Sequence, residues 1–142
     1  VGIGAKGNEG VTAMISQTEN SIGYIELAYA LNNKLSMAQI KNANGEFVTP
    51  TEDAVTAAAN TLSDADNKGD LRISIINAKG KGVYPISSFS WIVVTPNPSD
   101  IKFQSFKKFI NWIIVDGQKM AKDLHYAPLP KKIVSAIQVK IK

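Results

Sequence analysis

Residues 84–94 read Tyr84-Pro85-Ile86-Ser87-Ser88-Phe89-Ser90-Trp91-Ile92-Val93-Val94, YPISSFSWIVV. From Ser88 to Trp91 polar and aromatic residues alternate, the period-two signature of a half-buried strand. From Trp91 to Val94 the chain is continuously apolar, as in a strand buried on both faces. Ala78-Lys79-Gly80-Lys81-Gly82 precedes it as a mobile turn, and Thr95-Pro96-Asn97-Pro98 stops it. A long amphipathic helix follows, with Phe103, Phe106, Phe109, Ile110, Ile113 and Ile114 on its apolar side and Lys102, Lys107 and Lys108 on the wet side. A strand handed on to a helix is the pattern of an α/β chain.

The rest of the sequence extends that pattern in both directions. Asp116-Gly117 interrupts the long helix, Gln118 to Leu124 continues as a second helical piece, and Pro128-Leu129-Pro130 starts a last helix with the apolar face Ile133, Val134, Ile137 and Ile141. Upstream, Leu71 to Ile75 alternates as a half-buried strand after the polar run Ser63 to Asp70. Thr49, Pro50 and Glu52 form a capping box for a helix carried by Ala54, Val55, Ala58, Ala59 and Leu62. Asn42-Ala43-Asn44-Gly45 is a hairpin signal between Met37–Ile40 and Glu46–Val48. Ile22-Gly23-Tyr24-Ile25 reads as a short buried strand, followed by one or two helical turns from Leu27 to Leu31. Asn8 is placed to cap a first helix, whose spacing of Val11, Met14, Ile15 and Thr18 runs to the breaker Asn20-Ser21.

Before that first helix stands Gly4-Ala5-Lys6-Gly7-Asn8-Glu9-Gly10-Val11, GAKGNEGV. Glycines and a following helix are the ingredients of a phosphate-cradling loop, because backbone N–H groups and the positive helix end can meet the oxygens. The spacing is neither that of the nucleotide-binding loop nor that of the dinucleotide fingerprint. The bland reading, a glycine-rich start to a helix, therefore outweighs phosphate contact.

The 142 residues suffice for one domain or for two small lobes sharing a crossing segment. With 44% hydrophobic and 20% charged residues the composition is that of a globular protein, and no apolar run approaches the roughly 18 residues of a membrane span. The net charge of +4 comes from 15 lysines and one arginine, Arg72, read as a solvated surface spread along the chain. Cysteine is absent and His125 is the only histidine, so neither a cysteine–histidine pair nor a two-imidazole metal site can form within one chain. His125 reads as a cap or surface residue, and Glu52-Asp53 and Asp64 with Asp66 as solvated acids. Lys107 and Lys108 beside Phe103, Phe106 and Trp112 imitate a nucleic-acid face, but the aromatics keep helical spacing and so read as core. The residues support an α/β module with no catalytic group, no metal and no cofactor. The chain opens on Val1 with neither a signal peptide nor an initiator methionine, as a processed chain or a piece of a longer one would.

Four blocks, GAKGNEGV, NSIGYIELAYALNNKL, YPISSFSWIVV and DGQKMAKDLHYAPLPKKIV, resemble in order the signature stretches of the phosphate-binding protein of the bacterial and archaeal phosphate ABC transporter, from Gly4 to about Val134. The resemblance implies a portion of a two-lobed periplasmic-binding-protein fold of type II. Residues 1–81 would be the later part of the second lobe, 82–88 the crossing between lobes, with Tyr84, Pro85, Ile86 and Ser87 as hinge, and 89–142 the carboxy-terminal part of the first lobe. A fixed φ at Pro85 suits a stiff connector whose neighbours bend. The family's direct phosphate ligands lie in loops that have no counterpart here, and Arg72 is not followed by Ser-Gly-Thr. Lys6, Gly7 and Asn8 are at best near-site residues. His125 stands where the family more usually has glycine.

The function so implied is extracytoplasmic: delivery of inorganic phosphate to the membrane subunits of an ABC transporter, from the periplasm or the outer face of the membrane, lipid-anchored or not. The missing half, or self-association, would cover apolar faces left open. Two other readings stand beside it: an independent, non-catalytic interaction module of the same descent that binds a protein or an anionic surface through its lysines, and, weakest, a small enzyme.

Overall fold

A computed structural model describes residues 2–63, 70–95, 97 and 99–141. Asp64 and Asp66, and Pro96 and Pro98 of the expected strand stop, lie outside the described residues. The element order is α1 (Gly7–Gln17), α2 (Leu27–Asn32), β1 (Ile40–Lys41), β2 (Phe47–Val48), α3 (Glu52–Asn60), α4 (Ile101–Val115), two 3-10 turns (Gly117–Met120 and Lys122–Leu124) and α5 (Lys131–Lys140).

The hairpin forms where Asn42-Ala43-Asn44-Gly45 places it. β1 and β2 are antiparallel with Ile40 opposite Val48 and Lys41 opposite Phe47, and Gly45 takes a φ of 83° in the turn. α4 begins on Asp100, whose side chain accepts from the Lys102 N–H at 2.8 Å, and ends at Asp116-Gly117 as expected. α3 starts two residues later than expected. Thr51, not Thr49, is the cap and accepts from the Ala54 N–H at 3.1 Å, while Thr49 accepts instead from Gln39 Nε2. α1 also differs from expectation. Its cap position is Lys6, with no side-chain cap bond, and Asn8 is already inside the first turn.

The larger correction concerns the strands. Ile22–Ile25, Leu71–Ile75 and Ser88–Val94 join no ladder, and the one sheet among the described residues is the two-stranded hairpin. The side-chain alternation is present without the pairing: Leu71, Ile73 and Ile75 turn inward while Arg72 and Ser74 face out, and the Ile73 N–H folds back onto the Leu71 carbonyl at 2.8 Å. Phe89 reaches the core, but Trp91 to Val94 are exposed on both faces, with Val93 at 93%. Tyr24, expected in a buried strand, is 92% exposed. A strand requires a hydrogen-bonded neighbour 4.7–4.9 Å away, and these segments have none among the described residues.

The core lies around α3. Ala58, Ala59, Leu62, Ile75, Val83 and Ile133 are buried together, with Ile73, Ala78, Phe89, Leu129 and Ile137 packed against them. Alanines on α3 let Ile75 and Val83 approach the helix closely. On α4 only Ile114 is buried, and Phe109 and Trp112, expected in the core, stack on each other while largely exposed. The accessible surface is 10064 Å² for 15.3 kDa, against about 7,100 Å² for a compact monomer of that mass.

Candidate functional site

At the glycine loop, Gly7 opens α1 with φ 65°, a conformation that side chains disfavour, and a Cβ there would meet Glu9 Oε2 at 2.9 Å. Asn8 is spent on structure: its Oδ1 accepts from the Glu26 N–H at 2.9 Å, and its carbonyl accepts from Thr12 Oγ1 at 2.7 Å. The Tyr29 hydroxyl donates to Glu9 Oε1 at 2.6 Å and holds that carboxyl below its ordinary value. The bond to Glu9 in turn raises the Tyr29 phenol. The positive end of α1 thus already carries a carboxylate in its first turn. Lys6 stands exposed beside it. The three residues named from the sequence sit together at the head of α1, with Asn8 facing α2.

The connector is strapped down. Val83, Pro85 and Ser87 are buried while Ile86 faces out. The Tyr84 N–H donates to the Ala54 carbonyl of α3 at 3.2 Å, the Asn77 N–H to the Pro85 carbonyl at 2.8 Å, and Ser87 Oγ to the Tyr84 carbonyl at 2.7 Å. Burial pushes the Tyr84 phenol up.

Sequence reasoning missed Asn42. It is buried, and its Nδ2 donates to Glu46 Oε2 at 3.0 Å and to the Val83 carbonyl at 3.2 Å, while its Oδ1 accepts from the Asn44 and Glu46 N–H groups. Glu46 Oε2 also accepts from the Gly82 N–H at 2.9 Å, and that bond, then Asn42, lowers the Glu46 carboxyl. One side chain therefore locks the hairpin turn to the start of the connector. Its place in a turn signal conceals this, because Asn is expected there for its local bonds alone. A cleft of about 550 Å³ beside it is lined by Glu46, Thr49, Thr51, Asp53, Ala57 and Lys81 among others.

The carboxy-terminal segment is tied to α3. Lys122 Nζ meets Asp53 at 2.7 Å, His125 Nδ1 meets Glu52 Oε1 at 3.3 Å, Thr56 Oγ1 donates to the Pro128 carbonyl at 3.2 Å, and Lys132 Nζ donates to the Asn60 and Leu62 carbonyls. His125 ends the second 3-10 turn at φ 60°, the conformation that a glycine adopts freely. Among the described residues, no group of His, Asp and Glu could hold a metal ion, and no helix is long and apolar enough to cross a membrane.

A family model for the PBP superfamily domain matches residues 1–116. The chain is 41% identical over 138 residues to the phosphate-binding protein PstS of Xylella fastidiosa strain Temecula1, covering 96% of this chain and 38% of that protein. It is 35% identical over 140 residues to the PstS of Haemophilus influenzae, covering 96% and 41% of the two chains. It is 34% identical over 138 residues to the PstS of the archaeon Methanocaldococcus jannaschii, covering 89% and 34%. The chain spans about two-fifths of the length of the curated relatives it matches. Since the family match covers most of its residues, and the similarity to these relatives runs across nearly all of it, the chain belongs to the PBP superfamily.

Proposed function

We propose that this chain is the carboxy-terminal portion of an extracytoplasmic phosphate-binding protein that delivers inorganic phosphate to the membrane subunits of an ABC transporter, and that it is not an enzyme. The observation that carries the reading is similarity across nearly the whole chain to bacterial and archaeal relatives that are each named for phosphate binding. In this reading the whole protein is two-lobed, of type II. Residues 1–81 are the later part of the second lobe, 82–88 the crossing with Tyr84 to Ser87 as hinge, and 89–142 the carboxy-terminal part of the first lobe. The protein works in the periplasm or at the outer face of the membrane, free or lipid-anchored.

Binding physics then divides the labour. Lobe closure buries an oxyanion among N–H groups and hydroxyls, and an acceptor that only a protonated phosphate can satisfy rejects sulfate. The direct ligands lie outside this chain. Lys6, Gly7 and Asn8 act near the site, by fixing the start of α1. The bare apolar surface at Ile22, Tyr24 and Trp91 to Val94 supports a covering partner, either the amino-terminal half or a second copy.

Calorimetric titration with phosphate, and with sulfate as control, tests this. The chain alone should give no heat beyond dilution. Co-expressed with the portion of the Xylella relative that this chain does not match, it should give saturable, phosphate-selective heat. Absence of selective heat from a well-folded complemented assembly would overturn the reading, and selective binding by the chain alone would move the grip to Lys6, Gly7 and Asn8.

A further inference from the structure

Two bodies can be traced by their bonds, and they cut across the lobe bounds proposed above, because α3 shares its core with the connector and the carboxy-terminal segment. α1 and α2 pack on each other and are joined by the Asn8–Glu26 and Glu9–Tyr29 bonds. α3, the connector and the segment from Lys122 to Ile137 share the core and the ties of Asp53, Glu52, Thr56 and Lys132. Among the described residues, one hydrogen bond joins the first body to the second: the Tyr126 hydroxyl donates to Glu26 Oε2 at 3.3 Å, across 100 positions of sequence.

Both ends of that bond are held in place. The Glu26 N–H is taken by Asn8 Oδ1, and its carbonyl accepts from Tyr29 and Ala30 to start α2, which leaves the carboxylate for Tyr126. Tyr126 follows the left-handed turn at His125, its N–H bonds the Ala121 carbonyl at 2.9 Å, and the preceding side chains Lys122 and His125 are fastened to α3. The phenol is half-exposed, and the neighbouring Glu26 charge raises its pKa. At 3.3 Å and exposed, longer than the usual O–H···O range, the bond opens easily, and among the described residues it is the one hydrogen bond that selects this arrangement of the two bodies.

We propose that Tyr126 and Glu26 form a latch that sets the orientation of the α1–α2 body against the body built on α3 and the carboxy-terminal segment. It stands on these contacts and not on the phosphate reading, so a chain that binds no phosphate leaves it intact. Because the chain has no cysteine, a spin-label pair can be placed cleanly at Ala13→Cys and Ser135→Cys, one exposed position on each body. Pulsed electron–electron distance measurement on the 142-residue chain should give one narrow distribution. Tyr126→Phe should broaden or shift it at unchanged helical circular dichroism, and Glu26→Gln, which keeps an acceptor, should leave it narrow. Tyr29→Phe, which removes a phenol–carboxylate bond inside one body, should also leave it unchanged. A Tyr126→Phe distribution superimposable on the parent, or an equal broadening by Tyr29→Phe, would overturn the proposal.

Discussion

Asn42 has both sides of its amide engaged inside the protein, so removing it strands several groups at once. Asn42→Ala leaves the Val83 carbonyl and two N–H groups without their partner, and is expected to cost about 2–3 kcal/mol by chemical denaturation. Asp70 shows the electrostatic counterpart on the surface. Arg72 grips its carboxylate through the side chain and the backbone N–H, and lowers its pKa from the ordinary 3.8 to about 2. A depressed carboxyl stabilises the folded state above its unfolded pKa, and this contribution fades as pH falls from about 4 toward 2. An NMR titration should show Asp70 ionising at about 2, and Arg72→Gln should return it to the ordinary range. At this scale the sequence is legible where a residue acts on its immediate neighbours, as at the Asp100 cap. It is opaque for Asn42, whose partner Val83 lies 41 positions away.

Helices and the hairpin were legible because their signals are local, and their starts were not always so. Thr49-Pro50-Thr51 offers two caps in one phrase, and a proline with φ near −65° fits both the first turn of a helix and the extended residue before a cap. Tertiary context chose Thr51. Thr51→Ala is accordingly expected to lower stability by about 1 kcal/mol, and Thr49→Ala by clearly less, in paired thermal unfolding runs. The strands failed for the opposite reason. Period-two patterning in Leu71–Ile75 and Ser88–Trp91 reports which side chains turn inward, whereas a ladder depends on a neighbour that the pattern does not name. Tyr84 to Ser87 carries the same alternation, held by α3 and Asn77 in place of a strand.

For the whole molecule, the surface exceeds that of a compact protein of this mass by about 3,000 Å². Among its apolar parts, one contiguous in sequence runs from Trp91 to Val94. Where a second copy covers this segment, Val93→Asp should weaken concentration-dependent association in sedimentation velocity while changing stability by less than about 0.5 kcal/mol. The family of the chain was legible from four ordered blocks. The openness of its surface was not, because a sequence pattern marks a buried face without saying whose residues bury it. The core around α3 also sets a timetable for biosynthesis. Ile133, one of its buried members, is made about seventy residues after Leu62, which at about 5–20 residues per second is roughly 4–14 s later. Until α5 leaves the ribosome, the alanine face of α3 lacks the side chain of Ile133 that covers it in the finished fold.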